Sequence, residues 1–314
     1  MPDSLAADMR SAAAGLLSAL TPPDRERAAL PFADDAARRW IEYRPEPRPG
    51  VDLAALDRTA RKAAHRLLAT GLSPHAYAQA MAVVALEEVL DRSEGWRRGR
   101  HSEDYWVCVF GDPADDIWSW RFEGHHVSVS MTIAGDTVSP APVFLGANPH
   151  RVAYRGRTVL QPLAIEEELA FALLEAMTPA ERSRAIVADQ APADIRSATR
   201  PQSAPIAPFG VAAGSLGGGA RGVLDELTGL YLDRLPEALA QREATRTQAG
   251  ERHFAWEGPT TPGGRHYYRI QADDLLIEYD NTAADGNHAH TVLRRPHGDF
   301  GGDVLAAHRA RHHA

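Results

Sequence analysis

The pattern of hydrophobic and polar positions divides the chain into helical segments and strand segments. Apolar residues recur at helical spacing over 4–20, about 53–70 and about 74–90, so the first hundred residues are predicted to be mainly helical. From Tyr105 onwards apolar residues alternate with polar ones, which indicates strands over 105–110, 117–133 and 138–145. The connections between these strands are too short for crossover helices, so antiparallel pairing is expected.

The remaining segments complete an order of helices, strands, helices, strands and a final helix. Helices are predicted over about 164–176 and 221–243, strands near 252–257, 265–271, 274–281 and 288–294, and a last helix over about 302–312. Segregated helices and strands are typical of an α+β fold. We expect an N-terminal helical layer on a mainly antiparallel sheet, closed by the C-terminal helix. The sequence shows no internal repeat of fixed period.

We predict one domain over residues 1–314. Its parts are a helical layer (1–100), a first strand group (105–150), a long loop (188–220), and a C-terminal part with a helix, the second strand group and the final helix (221–314). The loop is rich in proline, alanine, serine and glycine and is predicted to be a mobile cover over a site. Its glycine run lacks the lysine of a phosphate loop and the spacing of a dinucleotide fingerprint, so no nucleotide cofactor is expected.

Composition narrows the class of protein. The net charge of −8 gives no indication of a basic surface that would bind nucleic acid. No segment approaches the roughly 20 apolar residues needed to span a bilayer, and the N-terminus does not resemble a secretory signal, so a cytoplasmic protein without a membrane partner is expected. The single cysteine, Cys108, excludes an internal disulfide. Lys62 is the only lysine and lies in no motif, which argues against Schiff-base chemistry.

His288 and His290 are the most specific candidates for metal ligands. They are two residues apart on a predicted strand and project from the same face, about 6.6–6.8 Å apart along the chain. Both rings can therefore reach one ion at about 2.0–2.1 Å, with their nitrogens about 3–4 Å apart. The preceding strand carries Glu278 and Asp280 on one face, and a turn at 284–286 folds the histidines back beside them. Alternatively, the polar residues only shape the turn and line a polar sheet face.

A second cluster, residues 123–126, lies on a strand more than 150 residues before the histidine hairpin. Strand alternation places Glu123 and His125 on one face and His126 on the other. His125 is therefore the expected ligand, and His126 is expected to support the site or contact the substrate. The whole cluster should pack against the 278–290 hairpin, with Gly124 leaving room beside the histidines. The alternative is an ion pair between Arg121 and Glu123 beside two core histidines.

Several longer motifs resemble a family catalogued as a domain of unknown function, found in bacteria and fungi. They are Trp118-x-Trp120-Arg121-x-Glu123-Gly124-His125-His126, Phe144-x-Gly146-Ala147-Asn148-Pro149, Glu278-Tyr279-Asp280-Asn281-Thr282 and Asn287-His288-x-His290. The pattern His266-Tyr267-Tyr268-x-Ile270 also fits, although Ala272 stands where the family pattern has glycine. The resemblance covers nearly the whole chain and implies no particular activity.

The residues themselves favour a metalloenzyme that acts on a small organic molecule. One divalent metal ion is expected on His125, His288 and His290, with Glu123 or Asp280 completing the ligand set or acting as a base and His126 in support. The expected substrate contacts are Arg121, Tyr268, Glu278 and Asn281. Such ligands suit iron or copper oxygen chemistry, which we favour because Trp118, Trp120, Tyr267 and Tyr268 would form a dry aromatic surround. The alternatives are a zinc-dependent hydrolase and a metal-free binding protein for a small molecule.

Overall fold

A computed structural model describes residues 4–97, 99 and 101–312. The elements of the first half are α1 (Leu5–Ala19), α2 (Pro22–Ala28), β1 (Ala29–Leu30), α3 (Asp35–Arg38), β2 (Val51–Asp52), α4 (Arg58–Gly71), α5 (Pro74–Ser93), β3 (Tyr105–Phe110), β4 (Ile117–Gly124), β5 (Val127–Ala134), β6 (Thr137–Ser139) and β7 (Val143–Ala147). A small separate hairpin of β8 (Val152–Tyr154) and β9 (Arg157–Leu160) then leads out of this half.

The second half has a similar series of elements. They are α6 (Ala164–Ala176), α7 (Pro179–Ala185), β10 (Ile186–Ala188), β11 (Val211–Ala212), α8 (Gly218–Leu232), α9 (Glu237–Gln248), β12 (His253–Glu257), β13 (Tyr267–Ala272), β14 (Leu275–Ala283), β15 (His288–Arg294) and α10 (Gly302–His312). The single helix predicted over 221–243 is two helices, because Pro236 lacks the N–H that an uninterrupted helix needs. The glycine run ends in a short 3₁₀ turn and the start of α8 rather than in a loop.

One sheet of thirteen strands organises these elements. Its main path is β1-β3-β4-β5-β7-β15-β14-β13-β12-β10, with β2, β6 and β11 attached at the sides. Among the described residues the pairs are antiparallel, except for β1 with β3 and β10 with β12. The predicted α+β class, with its mainly antiparallel sheet and closing helix, is confirmed. No helix in the described ranges is long and apolar enough to cross a membrane.

The two halves of the chain share one architecture, a repeat without a fixed period that was not identified from the sequence. The strand order reads the same from either end of the sheet, with β7 and β15 paired antiparallel at the centre. Residues 21–28 and 178–185 share the pattern T-P-x-x-R-x-R-A, and residues 50–61 and 210–221 share G-V-x₄-L-x₃-A-R. The repeat is hard to see in the sequence because the matches are short and the segments between them differ in length.

One face of the sheet is apolar and packs against the helices. Alternate residues of the strands point to this side, among them Trp118, Trp120 and Phe122 of β4, all buried. The absence of a side chain at Gly71, the last residue of α4, lets that helix approach the ring of Trp120, since a Cβ there would lie 2.8 Å from it. Burial of this apolar face supplies most of the driving force for docking the helices.

The opposite face of the sheet is lined by charged side chains and is covered by two chain segments, 31–50 and 189–210. The arginine and carboxylate side chains buried there are Arg48, Arg121, Glu123, Glu257, Arg269, Glu278 and Arg294. Many of their hydrogen bonds go to backbone atoms of the covering segments. Arg121, for example, donates to the Ala37 carbonyl at 2.6 Å, and Glu278 accepts from the Arg196 N–H at 2.6 Å. Each segment is therefore held in place by buried charges of the sheet.

The energetic role of this charged face can be tested at Arg269. Its guanidinium is fully buried, pairs with Glu257 at 2.6 Å and donates to the Pro208 carbonyl of the covering segment. Arg269→Met would leave the buried Glu257 paired with Arg196 alone, so it should lower the free energy of unfolding in urea by up to about 3–5 kcal/mol. Arg265→Met is the matched control, because it removes only an exposed pair with Asp285, for which less than about 1 kcal/mol is expected. Equal effects of the two variants would contradict this account.

Candidate metal centre

The site begins with the histidine pair of β15. His288 and His290 lie on the same side of this strand, with ring centroids 4.6 Å apart, as their spacing of two residues predicts. The strand is central in the sheet and pairs with β7 on one side and β14 on the other. His290 is buried, whereas His288, at the first position of the strand, is half-buried. The two rings therefore lie at the beginning of β15, where the buried part of the sheet meets solvent.

His126, rather than His125, reaches this pair. The alternation of β4 ends at Gly124, and the two histidines form the turn that leads into β5, so the strand argument for His125 does not apply. His126 has a positive φ of 64°, a conformation that the turn imposes, and its N–H donates to the Tyr43 carbonyl. Its Nε2 lies 2.7 Å from Nε2 of His288.

The position of Gly146 explains how His126 reaches across the sheet. Strands β5 and β7 lie between the turn and β15, and Gly146 of β7 pairs with His290. A Cβ at Gly146 would lie 2.8 Å from Cδ2 of His126 and 3.0 Å from Cδ2 of His290. The space expected beside Gly124 is instead filled by the Tyr105 ring, which a Cβ would approach to 2.2 Å. Gly146, therefore, provides the room between the histidines.

The three imidazoles have the separation that a shared ion requires. One nitrogen from each of His126, His288 and His290 falls in a group whose atoms all lie within 4.8 Å of one another. Two nitrogens bound to one tetrahedral ion at about 2.0–2.1 Å would be about 3.4 Å apart. The 2.7 Å contact of His126 with His288 would thus open by about 0.7 Å on binding, a shift that side-chain rotation supplies.

Two carboxylates hold the other nitrogen of His290. Its Nδ1 lies 2.9 Å from Oδ1 of Asp194 and 3.2 Å from Oδ2 of Asp280. Burial favours the neutral imidazole, but these acids outweigh burial and raise the pKa of His290 to about 9. With Nδ1 occupied, Nε2 is the nitrogen left for an ion. A carboxylate on the far nitrogen fixes the ring of a metal ligand and increases its basicity.

Tyr43 joins several parts of the site and was not identified from the sequence. Its hydroxyl donates to Oδ2 of Asp194 at 2.8 Å, and its ring stacks on Phe144 with centroids 4.3 Å apart. Both rings flank His290, with centroid distances of 5.1 and 5.5 Å. Burial and the nearby Asp194 raise the pKa of the Tyr43 phenol, so it is a proton donor at neutral pH. No periodic pattern marks Tyr43 or Asp194, because both lie in the covering segments.

His125 has a separate partner on the helix side. Its Nδ1 lies 2.5 Å from Oε1 of Glu87, and its ring packs on that of His126 with centroids 3.7 Å apart. Glu87 is buried in α5 beside the turn. Helical spacing alone could not show this, because the histidine that receives the carboxylate comes from another element. Glu87, His125 and His126 form a further group with metal-ligand spacing.

Other residues predicted for the site lie away from the histidine cluster. Glu123 accepts from the Ser128 hydroxyl at 2.6 Å and forms ion pairs with Arg121 and Arg48, at 3.5 and 3.4 Å. The ion pair between Arg121 and Glu123, which was the alternative interpretation of these two residues, is therefore present. Burial raises the pKa of the Glu123 carboxyl, although both arginines oppose the change. The carboxylate of Asp280, by contrast, is at the cluster.

The predicted substrate contacts are engaged in structural hydrogen bonds. Tyr268 is buried on the helix side, where its hydroxyl contacts that of Tyr231 at 2.7 Å. Glu278 accepts from the Tyr267 hydroxyl and from the 189–210 segment. Asn281 accepts from the His266 N–H at 2.8 Å. Tyr268 lies on the helix side of the sheet, and the polar groups of Glu278 and Asn281 are bound by the chain around the start of β13 and by the covering segment rather than by the three imidazoles.

The whole chain, including this site, is similar to one family of proteins. The sequence matches a family described as proteins of unknown function, DUF3500, over residues 3–302. The chain belongs to the DUF3500 family. This confirms the resemblance inferred from the motifs. No curated protein and no solved structure matches the chain. The matched range includes all the histidines of the cluster and both covering segments of this DUF3500 protein, so the site lies within the family domain.

The role of Gly146 in this DUF3500 chain can be tested by substitution. In Gly146→Ala the new Cβ would collide with His126 and with the Ala289 carbonyl, so the rings should be displaced. We expect the affinity for Zn²⁺, measured by competition with a chromophoric chelator, to fall at least about tenfold, with a loss of about 1–3 kcal/mol in stability. Gly229→Ala in α8 is the control, since its Cβ would meet no other atom within 4 Å. Unchanged affinity in Gly146→Ala would refute this packing.

The raised pKa of His290 predicts a pH dependence of metal binding. An ion can bind Nε2 only after the imidazolium has lost a proton, so protons compete with metal below the pKa of about 9. The Zn²⁺ affinity of the metal-free DUF3500 protein should therefore rise by up to about tenfold per pH unit between pH 6 and 9 and then level off. Calorimetry in buffers of different ionisation enthalpy should show proton release. A flat affinity over this range would contradict the assignment.

Proposed function

We propose that the protein is a metal-dependent enzyme whose divalent ion is bound by Nε2 of His126, His288 and His290. The observation that carries the proposal is the convergence of these three imidazoles, from one turn and one strand, at a half-buried position. Three protein ligands with one position left open are typical of catalytic rather than structural sites. The carboxylates on Nδ1 of His290 add the outer support that such ligands commonly have.

For the reaction, we favour oxidation of a small organic molecule with iron or copper. Three nitrogen ligands and an open position suit an ion that changes oxidation state and activates oxygen. The aromatic residues that support this choice are Tyr43 and Phe144 beside His290, and not the four predicted from the sequence. Trp118, Trp120 and Tyr268 face the helices, and the Tyr267 hydroxyl donates to Glu278. The Tyr43 hydroxyl and Asp194 would hold a proton next to the ion.

A zinc-dependent hydrolase remains the second candidate, for a specific reason. All three proposed ligands are neutral imidazoles, so a bound zinc ion would keep its full charge and lower the pKa of a water molecule to about 7. Asp280 or Asp194 could then accept a proton. The two candidates share the same ligand residues and differ in the metal and in the use of oxygen.

The test of the proposal is the metal content of protein purified without an affinity tag. We expect about one equivalent or more of iron, copper or zinc in the unmodified protein, and loss of at least about nine-tenths of the metal at this site in His126→Ala and in His288→Ala. His297→Ala is the matched control, because its side chain is 62 % exposed and lies outside the cluster. Circular dichroism spectra should show that each variant is folded.

Two further measurements separate the possibilities. In His125→Ala the metal should remain, with weakened affinity, because His125 packs on His126 and groups with Glu87, whereas the proposed ligands are His126, His288 and His290. Complete loss of metal in that variant but not in His126→Ala would overturn the ligand assignment. Oxygen consumption by the iron- or copper-loaded protein with small organic substrates distinguishes an oxidase from a zinc-loaded hydrolase. A protein that binds no metal in any form would refute the proposal and leave a metal-free binding protein.

A further inference from the structure

A second set of potential metal ligands surrounds the far side of His290. Its Nδ1, Oδ1 of Asp194 and Oδ2 of Asp280 belong to a group whose ligand atoms all lie within 4.8 Å of one another. The nitrogen-to-oxygen separations are 2.9 and 3.2 Å. Donor atoms on one tetrahedral ion are about 3.4 Å apart, so small side-chain movements would bring these three atoms into a coordination sphere.

Asp280 has one carboxylate oxygen that is buried without a hydrogen bond and faces His290. Its Oδ1 accepts hydrogen bonds from the N–H and hydroxyl of Thr282, at 3.2 and 3.1 Å. Its Oδ2 is buried and has no hydrogen-bond partner, although Asp280 as a whole is only 1 % exposed. A buried carboxylate oxygen without a hydrogen bond carries a substantial desolvation cost. Its positive neighbour is the His290 ring, whose Nδ1 lies 3.2 Å away, and a divalent ion in place of the Nδ1 proton would bind this oxygen more strongly.

The contacts of Asp194 also favour a cation beside His290. The Tyr43 hydroxyl and the Ile195 N–H hold this carboxylate, at 2.8 and 2.7 Å. The Tyr43 bond is to Oδ2, whereas Oδ1 accepts from the Ile195 N–H and lies 2.9 Å from Nδ1 of His290. The Asp194 side chain is 41 % exposed, which gives an ion a route from solvent. Phe144 and Tyr43 close the apolar side of the ring.

We propose that Asp194, Asp280 and Nδ1 of His290 form a second divalent cation site, so that the His290 ring bridges two ions. The bridge rests on the proposed function, because it requires the first ion on Nε2. Both ring protons of the His290 imidazolium leave to solvent, and each is replaced by a metal–nitrogen bond, with no change in oxidation state. Two carboxylates and one imidazole suit Zn²⁺, Mn²⁺, Fe²⁺ or Cu²⁺. The site is thus a pair of unequal ion positions, one with three imidazoles and one rich in oxygen.

The experiment counts ions in the full chain, with Zn²⁺ and Cu²⁺ as the probes. We expect about two equivalents to bind the unmodified protein and about one to bind Asp194→Asn, in which the carboxylate is replaced by a neutral amide of the same shape. Asp189→Asn is the matched control, since Asp189 is exposed on the same covering segment. It should keep both equivalents. Because Asp194 is partly exposed, its substitution should leave the fold intact, as circular dichroism would verify.

A magnetic measurement adds a readout independent of stoichiometry. Two Cu²⁺ ions bridged by one imidazolate couple antiferromagnetically, so the fully loaded protein should show far less paramagnetic resonance signal than its copper content. In Asp194→Asn the full copper signal should return, because an isolated Cu²⁺ ion has an unpaired electron. One equivalent in the unmodified protein, or two uncoupled equivalents in Asp194→Asn, would overturn the second site while leaving the three-histidine proposal in place. Absence of any bound metal would instead refute the three-histidine site itself.

Discussion

Ionised side chains buried between the sheet and its two covering segments are the constraint on which the structure depends. Moving an arginine or a carboxylate out of water costs several kcal/mol unless each charge is paired and its hydrogen bonds are satisfied. Strands can supply only part of these partners, because their own backbone groups are used in the sheet. Segments 31–50 and 189–210 supply the rest through backbone carbonyl and N–H groups. The same segments bring Tyr43 and Asp194 to His290, so the cover that neutralises the charged face also completes the candidate site.

The duplicated architecture carries an asymmetric site. The turn between β4 and β5 and the turn between β13 and β14 occupy equivalent places and have the same length. The first presents His125 and His126, whereas the second presents Asp273 and Asp274, of which Asp274 pairs with Arg246. An ion pair therefore occupies the turn between β13 and β14, and two imidazoles occupy the turn between β4 and β5. The two halves therefore differ at this turn, and the candidate site also takes His288 and His290 from β15 of the second half.

The sequence predicted the helices and strands better than it predicted how long-range packing assembles the site. Periodicity was sufficient for the α+β class, the main strands and the shared face of His288 and His290, since these depend on local geometry. The choice between His125 and His126 depended on where β4 ends, and alternation does not indicate the end of a strand. Glu87 and Asp194 could not be predicted, because a helix and an irregular segment bring them to the histidines only through long-range packing. The repeat was obscured by insertions that shift its two copies by different amounts.

The contact between His126 and His288 across β7 has a consequence for folding during synthesis. His126 and His288 are 162 residues apart in the chain, so the three-imidazole cluster cannot exist while only the first half has left the ribosome. Closing so long a loop costs entropy that must be repaid by docking of β15 onto β7 before the three imidazoles can share an ion. Under the proposed function, binding of the ion would follow assembly of both halves. A chain whose second half fails to dock would keep His126 apart from His288 and His290, so metal bound by all three rings would mark a completed fold.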